Sequence, residues 1–263
     1  MWRDHVRLLV AVVAGVVICA VALALGGTGG GPDATERARD ADYSVMAGHE
    51  IAYPCFGNFY ARHGDAVVLT TVAHCHGTEG TDVFDGSGRL LGTWGPVATG
   101  PPCDPAWQSC LASDMTYIAL APDRVPWGRL DQVLMGRIGY RGIAGGRALS
   151  CEEIPVGARV ELTGIGRYRD GRVVSRMPYG GPGAATIFPC IIETDLPGFI
   201  GDSGGPVFVD GRPAGITSQR LGEVIGFTPL AEGLDALGLT LCTAPDCGLV
   251  PPSSAPRQSA SAP

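Results

Sequence analysis

The sequence predicts an all-β fold on three observations: short β-prone runs recur along the middle of the chain, turn residues separate them, and one segment alone has helical spacing. The runs lie at 56–62, 66–72, 82–84, 89–94, 117–120, 159–163, 171–175, 186–193, 206–209, 214–217 and 224–229. Punctuation between them comes from 40 Gly and 21 Pro in 263 residues, and short strands so spaced fold as barrels or sandwiches. Helical spacing is confined to 230–237, where Leu230, Leu234 and Leu237 fall on one face.

Taken in chain order, the first element is an export segment, residues 1–25. Arg3 and Arg7 precede an uncharged apolar run, 8–25, whose length falls between a signal-peptide core of about 7–15 residues and a membrane span of about 20. Small-residue patterns such as Ala20-Val21-Ala22 suit cleavage, while the leading arginines suit a helix retained with its N-terminus inside. Both outcomes place the rest of the chain outside the cytoplasm, secreted or anchored. Residues 26–44 are small, polar and charged without apolar periodicity, as in a linker. The folded domain is expected over 45–247 and a disordered tail over 248–263, since 251–263 is almost all Pro, Ser and Ala.

Of nine cysteines, Cys19 sits in the apolar run, and Cys55, Cys75, Cys103, Cys110, Cys151, Cys190, Cys242 and Cys247 form an even set in the exported part. Outside the cell such a set points to disulfides. Zinc is the rival, with His74-Cys75-His76 as its best fragment, but no paired Cys-x-x-Cys knuckles accompany it, and no metal or cofactor is expected. A formal net charge of −7 leaves no basic stripe for a phosphate backbone, so nucleic acid is not an expected partner.

The segment richest in chemistry is Gly201-Asp202-Ser203-Gly204-Gly205-Pro206, ahead of the apolar run Val207-Phe208-Val209. Its glycines let the backbone turn tightly and leave room for a substrate beside the serine. Taken alone it is also compatible with an ordinary hairpin loop. Upstream, the apolar run 66–70 leads into Thr71-Val72-Ala73-His74-Cys75, and histidine is the usual base for activating a hydroxyl near neutral pH. Asp114, in Ser113-Asp114-Met115-Thr116, precedes another apolar run; by itself it reads equally as a turn aspartate.

Together these segments resemble the chymotrypsin-type serine peptidases, in particular their bacterial streptogrisin-like branch, over about 45–241. The order His, Asp, Ser matches, as do Cys55-Phe56-Gly57-Asn58-Phe59, Ile192-Glu193-Thr194-Asp195 and Phe227-Thr228-Pro229-Leu230. The resemblance implies two six-stranded antiparallel β-barrels with a short C-terminal helix, and serine endopeptidase activity on polypeptides by a monomeric enzyme. It implies Ser203 as nucleophile, His74 as general base and then acid, Asp114 as the group that orients the imidazole, and the amides of Gly201 and Ser203 as the oxyanion hole. Gly215-Ile216-Thr217-Ser218 is similar to the strand that pairs with substrate backbone. A bridge between Cys55 and Cys75 is implied in the same way. The local pairs Cys103 with Cys110 and Cys242 with Cys247 are expected from their short, Pro-containing intervals, which leaves Cys151 for Cys190. The competing reading is an inactive homologue using the same barrels as a binding module. An α/β-hydrolase needs the order Ser, Asp, His and a strand-turn-helix context, neither of which is present.

Departures from the pattern concern the surroundings of the serine. No Arg or Lys stands directly before Val45-Met46-Ala47-Gly48, so activation by a trypsin-like cut is not expected. Asp202 then needs another partner, and Leu162 occupies the position aligned with the arginine that many relatives supply. Pro197 stands where trypsin-like relatives carry a pocket aspartate, with Asp195 nearby, so a preference for Arg or Lys before the scissile bond is not expected. Gln219 and Arg220 follow Ser218 on the opposite wall, where their bulk narrows the entrance. Arg220 there either attracts an acidic side chain or lies solvated at the rim of a pocket for small and medium apolar groups; the second is the expectation, since exposed arginines are usually solvated.

Overall fold

The computed structural model describes residues 47–48, 50–52, 55–85, 87–100, 109–143, 146–165, 167–179 and 186–250. The export segment, the linker and residues 251–263 lie outside the described residues, as does Cys103 and with it the expected bridge to Cys110.

Strands β1 (Glu50–Ala52) and β2 (Cys55–Phe56) form a short antiparallel pair. Then come β3 (Tyr60–His63), β4 (Ala66–Thr71), β5 (Asp82–Phe84), β6 (Leu90–Trp94), β7 (Ser109–Cys110) and β8 (Thr116–Leu120). A two-stranded ribbon, β9 (Gln132–Leu134) with β10 (Tyr140–Gly142), leads to the second half. That half holds β11 (Arg159–Gly164), β12 (Arg167–Tyr179), β13 (Thr186–Pro197), β14 (Pro206–Val209), β15 (Arg212–Leu221) and β16 (Val224–Pro229). The chain continues into helix α1 (Leu230–Ala236) and β17 (Thr240–Leu241).

Of the two six-stranded antiparallel barrels expected, the second is closed by strand pairing, whereas the first is a six-stranded antiparallel sheet whose edge strands β17 and β5 do not pair among the described residues. In the second half, β12-β11-β14-β15-β16-β13 run antiparallel and β12 pairs back onto β13, which closes a six-stranded barrel. β7 then adds to β13 as a parallel strand, with Thr186 opposite Ser109. In the first half the ladder runs β17-β3-β4-β8-β6-β5. Its sixth member comes from the far end of the chain: β17 pairs with β3, Thr240 opposite Arg62. The run expected at 56–62 is broken into β2 and β3 by Asn58, a fully buried residue whose amide is directed to the other barrel rather than into a ladder. The Asp210-Gly211 pair makes the β14–β15 hairpin, with φ of 45° and 84°, the left-handed geometry that a two-residue turn requires.

Alternation and strand burial follow from position. β4 is buried from Val67 through Thr71 because it lies between β3 and β8 with one face on the barrel interior and the other under neighbouring elements. One apolar cluster gathers Phe59, Tyr60, Leu69, Met115 and Ile118; another gathers Val160, Leu162, Ile192, Val207 and Phe227. Leu230 and Leu234 of α1 pack into the first cluster, so the helix and β17 strap the end of the chain across the first barrel. Phe208 of the second barrel meets Phe59 of the first edge to face, centroids 5.4 Å apart, a geometry that aromatic quadrupoles favour. The seam between the barrels thereby becomes a fixed surface on which side chains from both can be aligned.

Cys55 bridges Cys75, Cys151 bridges Cys190 and Cys242 bridges Cys247. The first ties β2 to the turn after β4, and the third closes the segment after β17.

Candidate active site

Three segments meet at the seam. β4 ends in a single 3-10 turn, Ala73–Cys75, which carries His74; the Cys55–Cys75 bridge pins the end of that turn. Asp114 lies just before β8, where it is 1% exposed. Ser203 lies in the turn between β13 and β14.

Asp114 is held by four donors. Its Oδ1 accepts from the His74 backbone N–H at 3.0 Å, and its Oδ2 lies 2.6 Å from His74 Nδ1 and 2.5 Å from Ser218 Oγ, which donates to it. Its own carbonyl accepts from the Ala73 amide at 3.2 Å. A carboxylate only accepts, so His74 Nδ1 carries the proton and Nε2 presents a lone pair. Ser203 Oγ sits 2.9 Å from that Nε2. Burial, the largest influence on His74, works against its charged form, but the hydrogen bond and charge of Asp114 outweigh it and hold the imidazole above its ordinary value. An acceptor imidazole aimed at a hydroxyl, itself oriented by a buried carboxylate, is an arrangement that can draw a proton from the serine as it attacks an electrophile.

The turn bearing Ser203 is clamped from both barrels. The Phe56 amide donates to the Ser203 carbonyl at 2.8 Å, and Asn58 Nδ2 donates to the Gly204 carbonyl at 3.1 Å. From β15, Thr217 accepts from the Gly204 amide and donates to the Gly205 carbonyl, each at 2.9 Å. Gly204 has φ 87° and a side chain there would overlap the Phe56 carbonyl oxygen, so only glycine allows the two barrels to close on this turn. Among the described residues, the amides of Gly201 and Ser203 donate to no acceptor in the chain, although Asp202 N–H between them bonds to Phe199 O at 3.2 Å. Two unengaged donors beside one hydroxyl are what an anionic oxygen needs.

Asp202 has the partner that the sequence did not reveal. Arg169 Nη2 lies 2.6 Å from Asp202 Oδ1, and the Phe199 amide donates to Oδ2 at 2.9 Å. Leu162, the residue aligned with the expected arginine, is the cross-strand neighbour of Arg169 in the β11–β12 register. The charge therefore comes from the next strand of the hairpin. Gly164 makes room for it, since a Cβ there would overlap Asp202 Oδ1.

A cleft of about 320 Å³ adjoins His74 and Ser203, between the segment Gly198 to Ser203 and the wall from Thr217 to Arg220, with Ile225 buried beneath. Ser218, Gln219 and Arg220 line it. Pro197 does not: its carbonyl accepts from Arg169 Nη1 at 2.6 Å, so it supports the Asp202 side of the turn. Asp195 is occupied by the Arg172 amide at 2.7 Å and is likewise not in the lining. β14 pairs with β15 only as far as Ile216, so beyond Thr217 that edge of β15 carries no further strand among the described residues. His76, the last residue of His74-Cys75-His76, turns its Nε2 to the Gly95 carbonyl at 2.9 Å and packs on Trp94, while Cys75 is spent in its bridge. Among the described residues no three His, Cys, Asp or Glu side chains gather as a metal centre would require.

No family model matches the sequence, and no curated protein matches it. Solved structures do match the fold. A glutamic acid-specific serine protease, described as using a histidine triad in substrate binding, superposes with a TM-score of 0.58 at 20% identity, over 75% of this chain and 100% of that one. Thermobifida fusca Protease A gives 0.56 at 21% identity, over 75% and 97%. Cellulomonas bogoriensis chymotrypsin gives 0.55 at 21%, over 76% and 99%. The chain has the chymotrypsin-like fold of these bacterial serine proteases.

Proposed function

We propose that this protein is a serine endopeptidase acting outside the cytoplasm, with Ser203, His74 and Asp114 as its catalytic triad. The observation that carries the reading is the unbroken chain from Ser203 Oγ to His74 Nε2 at 2.9 Å and from His74 Nδ1 to Asp114 Oδ2 at 2.6 Å. In this mechanism a peptide adds as a strand to the open edge of β15 beyond Thr217, bringing its scissile carbonyl over Ser203. Ser203 Oγ attacks the carbonyl carbon while His74 Nε2 takes the hydroxyl proton, and the carbonyl oxygen gains negative charge facing the amides of Gly201 and Ser203. His74 then gives its proton to the departing amine, leaving an acyl-enzyme. Water repeats the sequence and frees Ser203. Asp114 keeps the imidazole in the tautomer needed and stabilises it when charged. The disulfides and the apolar N-terminal run support an extracytoplasmic setting. A fluorophosphonate probe is expected to label the protein at Ser203 alone, mapped by peptide mass. A folded chain left unlabelled would refute the reading and favour a binding module.

The pH dependence follows from the raised His74. Its neutral form is the base, so kcat/KM should fall tenfold per pH unit on the acid side, with a midpoint above the ordinary histidine value of about 6.5. Linkage acts in the opposite sense on the fold: a raised folded-state pKa contributes stability that is fully present below the unfolded value and lost as pH rises through the folded one. The acid limb is thus expected in protein that circular dichroism reports as folded. A flat profile between about pH 5 and 8 contradicts the assignment of His74 as base.

A further inference from the structure

We infer that the cleft beside Ser203 takes an acidic side chain, directly before the scissile bond, with the Arg220 guanidinium as its counter-ion and the Thr217 hydroxyl as a fixed hydrogen-bond donor; this rests on the peptidase reading above. Arg220 and Ile225 are cross-strand partners on β15 and β16, so both side chains stand on the same face, and both line the cleft. The stem of Arg220 passes close to the opposite wall: its Cγ would lie 3.3 Å from a Cβ at Gly198, tighter than an ordinary contact. This places a cation at the mouth of the cleft above an apolar floor.

The charge is held loosely. Arg220 Nη2 bonds Glu223 Oε1 at 3.2 Å, in an i,i+3 pair whose glutamate side chain is 93% exposed and whose arginine is 48% exposed. Such a pair is weak in water, and a substrate carboxylate entering a less hydrated cleft can take the place of Glu223. Deeper in, Thr217 lines the cleft and is 2% exposed, and its Oγ1 is buried with no hydrogen-bond partner among the described residues. An unpaired buried hydroxyl is costly unless a ligand satisfies it, and the main chain of Thr217 is bonded to Gly204 and Gly205, which fixes its position relative to Ser203. No lining carboxylate offsets the cation, because Asp202 is taken up by Arg169 and the Phe199 amide. A donor without an acceptor, a cation with a replaceable partner and a neutralised aspartate all favour a side chain that brings a carboxylate. A rim arginine over a pocket for apolar groups leaves the Thr217 hydroxyl unexplained.

The test compares kcat/KM of the intact protein on peptides identical except for Glu, Gln, Ala, Leu or Lys before the scissile bond. Glu is expected to exceed Gln by about tenfold or more, and Lys to be the poorest. In Arg220→Gln the Glu to Gln ratio should fall to near one. Glu223→Gln, which removes the competing carboxylate, should raise turnover of the Glu peptide, and Thr217→Val should lower it more than that of the Leu peptide. A wild-type ratio near one, or a ratio that Arg220→Gln leaves unchanged, overturns the inference. If Ser203 takes up the fluorophosphonate and Leu or Ala peptides are preferred, the specificity reading alone falls. If Ser203 is not labelled and no peptide is cleaved, the peptidase reading falls with it.

Discussion

Ser203→Ala is expected to lower kcat on any cleaved peptide roughly 10⁶-fold, because the group that forms the acyl-enzyme is gone. The fold should be unaffected. Among the described residues the Ser203 hydroxyl has one bond, to His74 Nε2, whereas the turn is held through backbone atoms of Ser203, Gly204 and Gly205 that alanine leaves in place. Thermal midpoints of the two proteins should therefore agree closely while turnover collapses. His74→Ala should cost about as much, and the double variant little more than either, since residues that act as one unit do not contribute additively. A single variant that keeps wild-type turnover, or a double variant whose loss is the product of the two, sinks the assignment.

What could be read from the sequence was chemistry carried by contiguous residues. Gly201-Asp202-Ser203-Gly204-Gly205 announces a tight turn, and the apolar runs before His74 and after Asp114 announce strands that present those residues at their ends, where β4 and β8 have them. Leu230, Leu234 and Leu237 announce the helix. Relations set by register were not legible. Arg169 and Leu162 are directly opposite across β11 and β12, and no local pattern tells which of the two faces Asp202. Likewise β17 is two residues long and gains its place only by pairing with β3 far upstream, and β7 is equally short and is recruited in parallel by β13. Asn58 looked like one more residue of a strand; its burial at the seam depends on Gly204 and Gly215 carbonyls that the fold brings from the other barrel. The unpartnered Thr217 hydroxyl is a property of the folded cleft that no residue pattern encodes.

Arg169→Met is expected to destabilise the protein by about 3–5 kcal/mol and to lower labelling of Ser203 in the molecules that remain folded. Arg169 is 11% exposed and Asp202 2% exposed in their side chains, so the variant leaves a carboxylate stripped of water and of its counter-charge. Among the described residues the Phe199 amide is the one other donor to that carboxylate, so one bond is left in place of two. The same arginine also holds the Pro197 carbonyl at 2.6 Å and lies 5.2 Å from the Phe199 ring centroid, so its loss loosens the segment that leads into Gly201. If Asp202 turns outward to regain water, the Gly201 and Ser203 amides move with it, and that is how a residue remote from the reacting atoms reaches turnover. Charge and shape can be separated. Arg169→Met with Asp202→Asn removes both charges and should recover much of the stability, since the uncompensated carboxylate is the main cost. Arg169→Lys keeps the charge but not the fork that reaches Asp202 and Pro197 together, and should recover only part of the labelling rate. Stability by chemical denaturation and the second-order rate of fluorophosphonate labelling measure the two effects. Wild-type values of both in Arg169→Met would mean that Asp202 is held in place without its ion pair, and that the turn owes its shape to the clamps from Phe56, Asn58 and Thr217 alone.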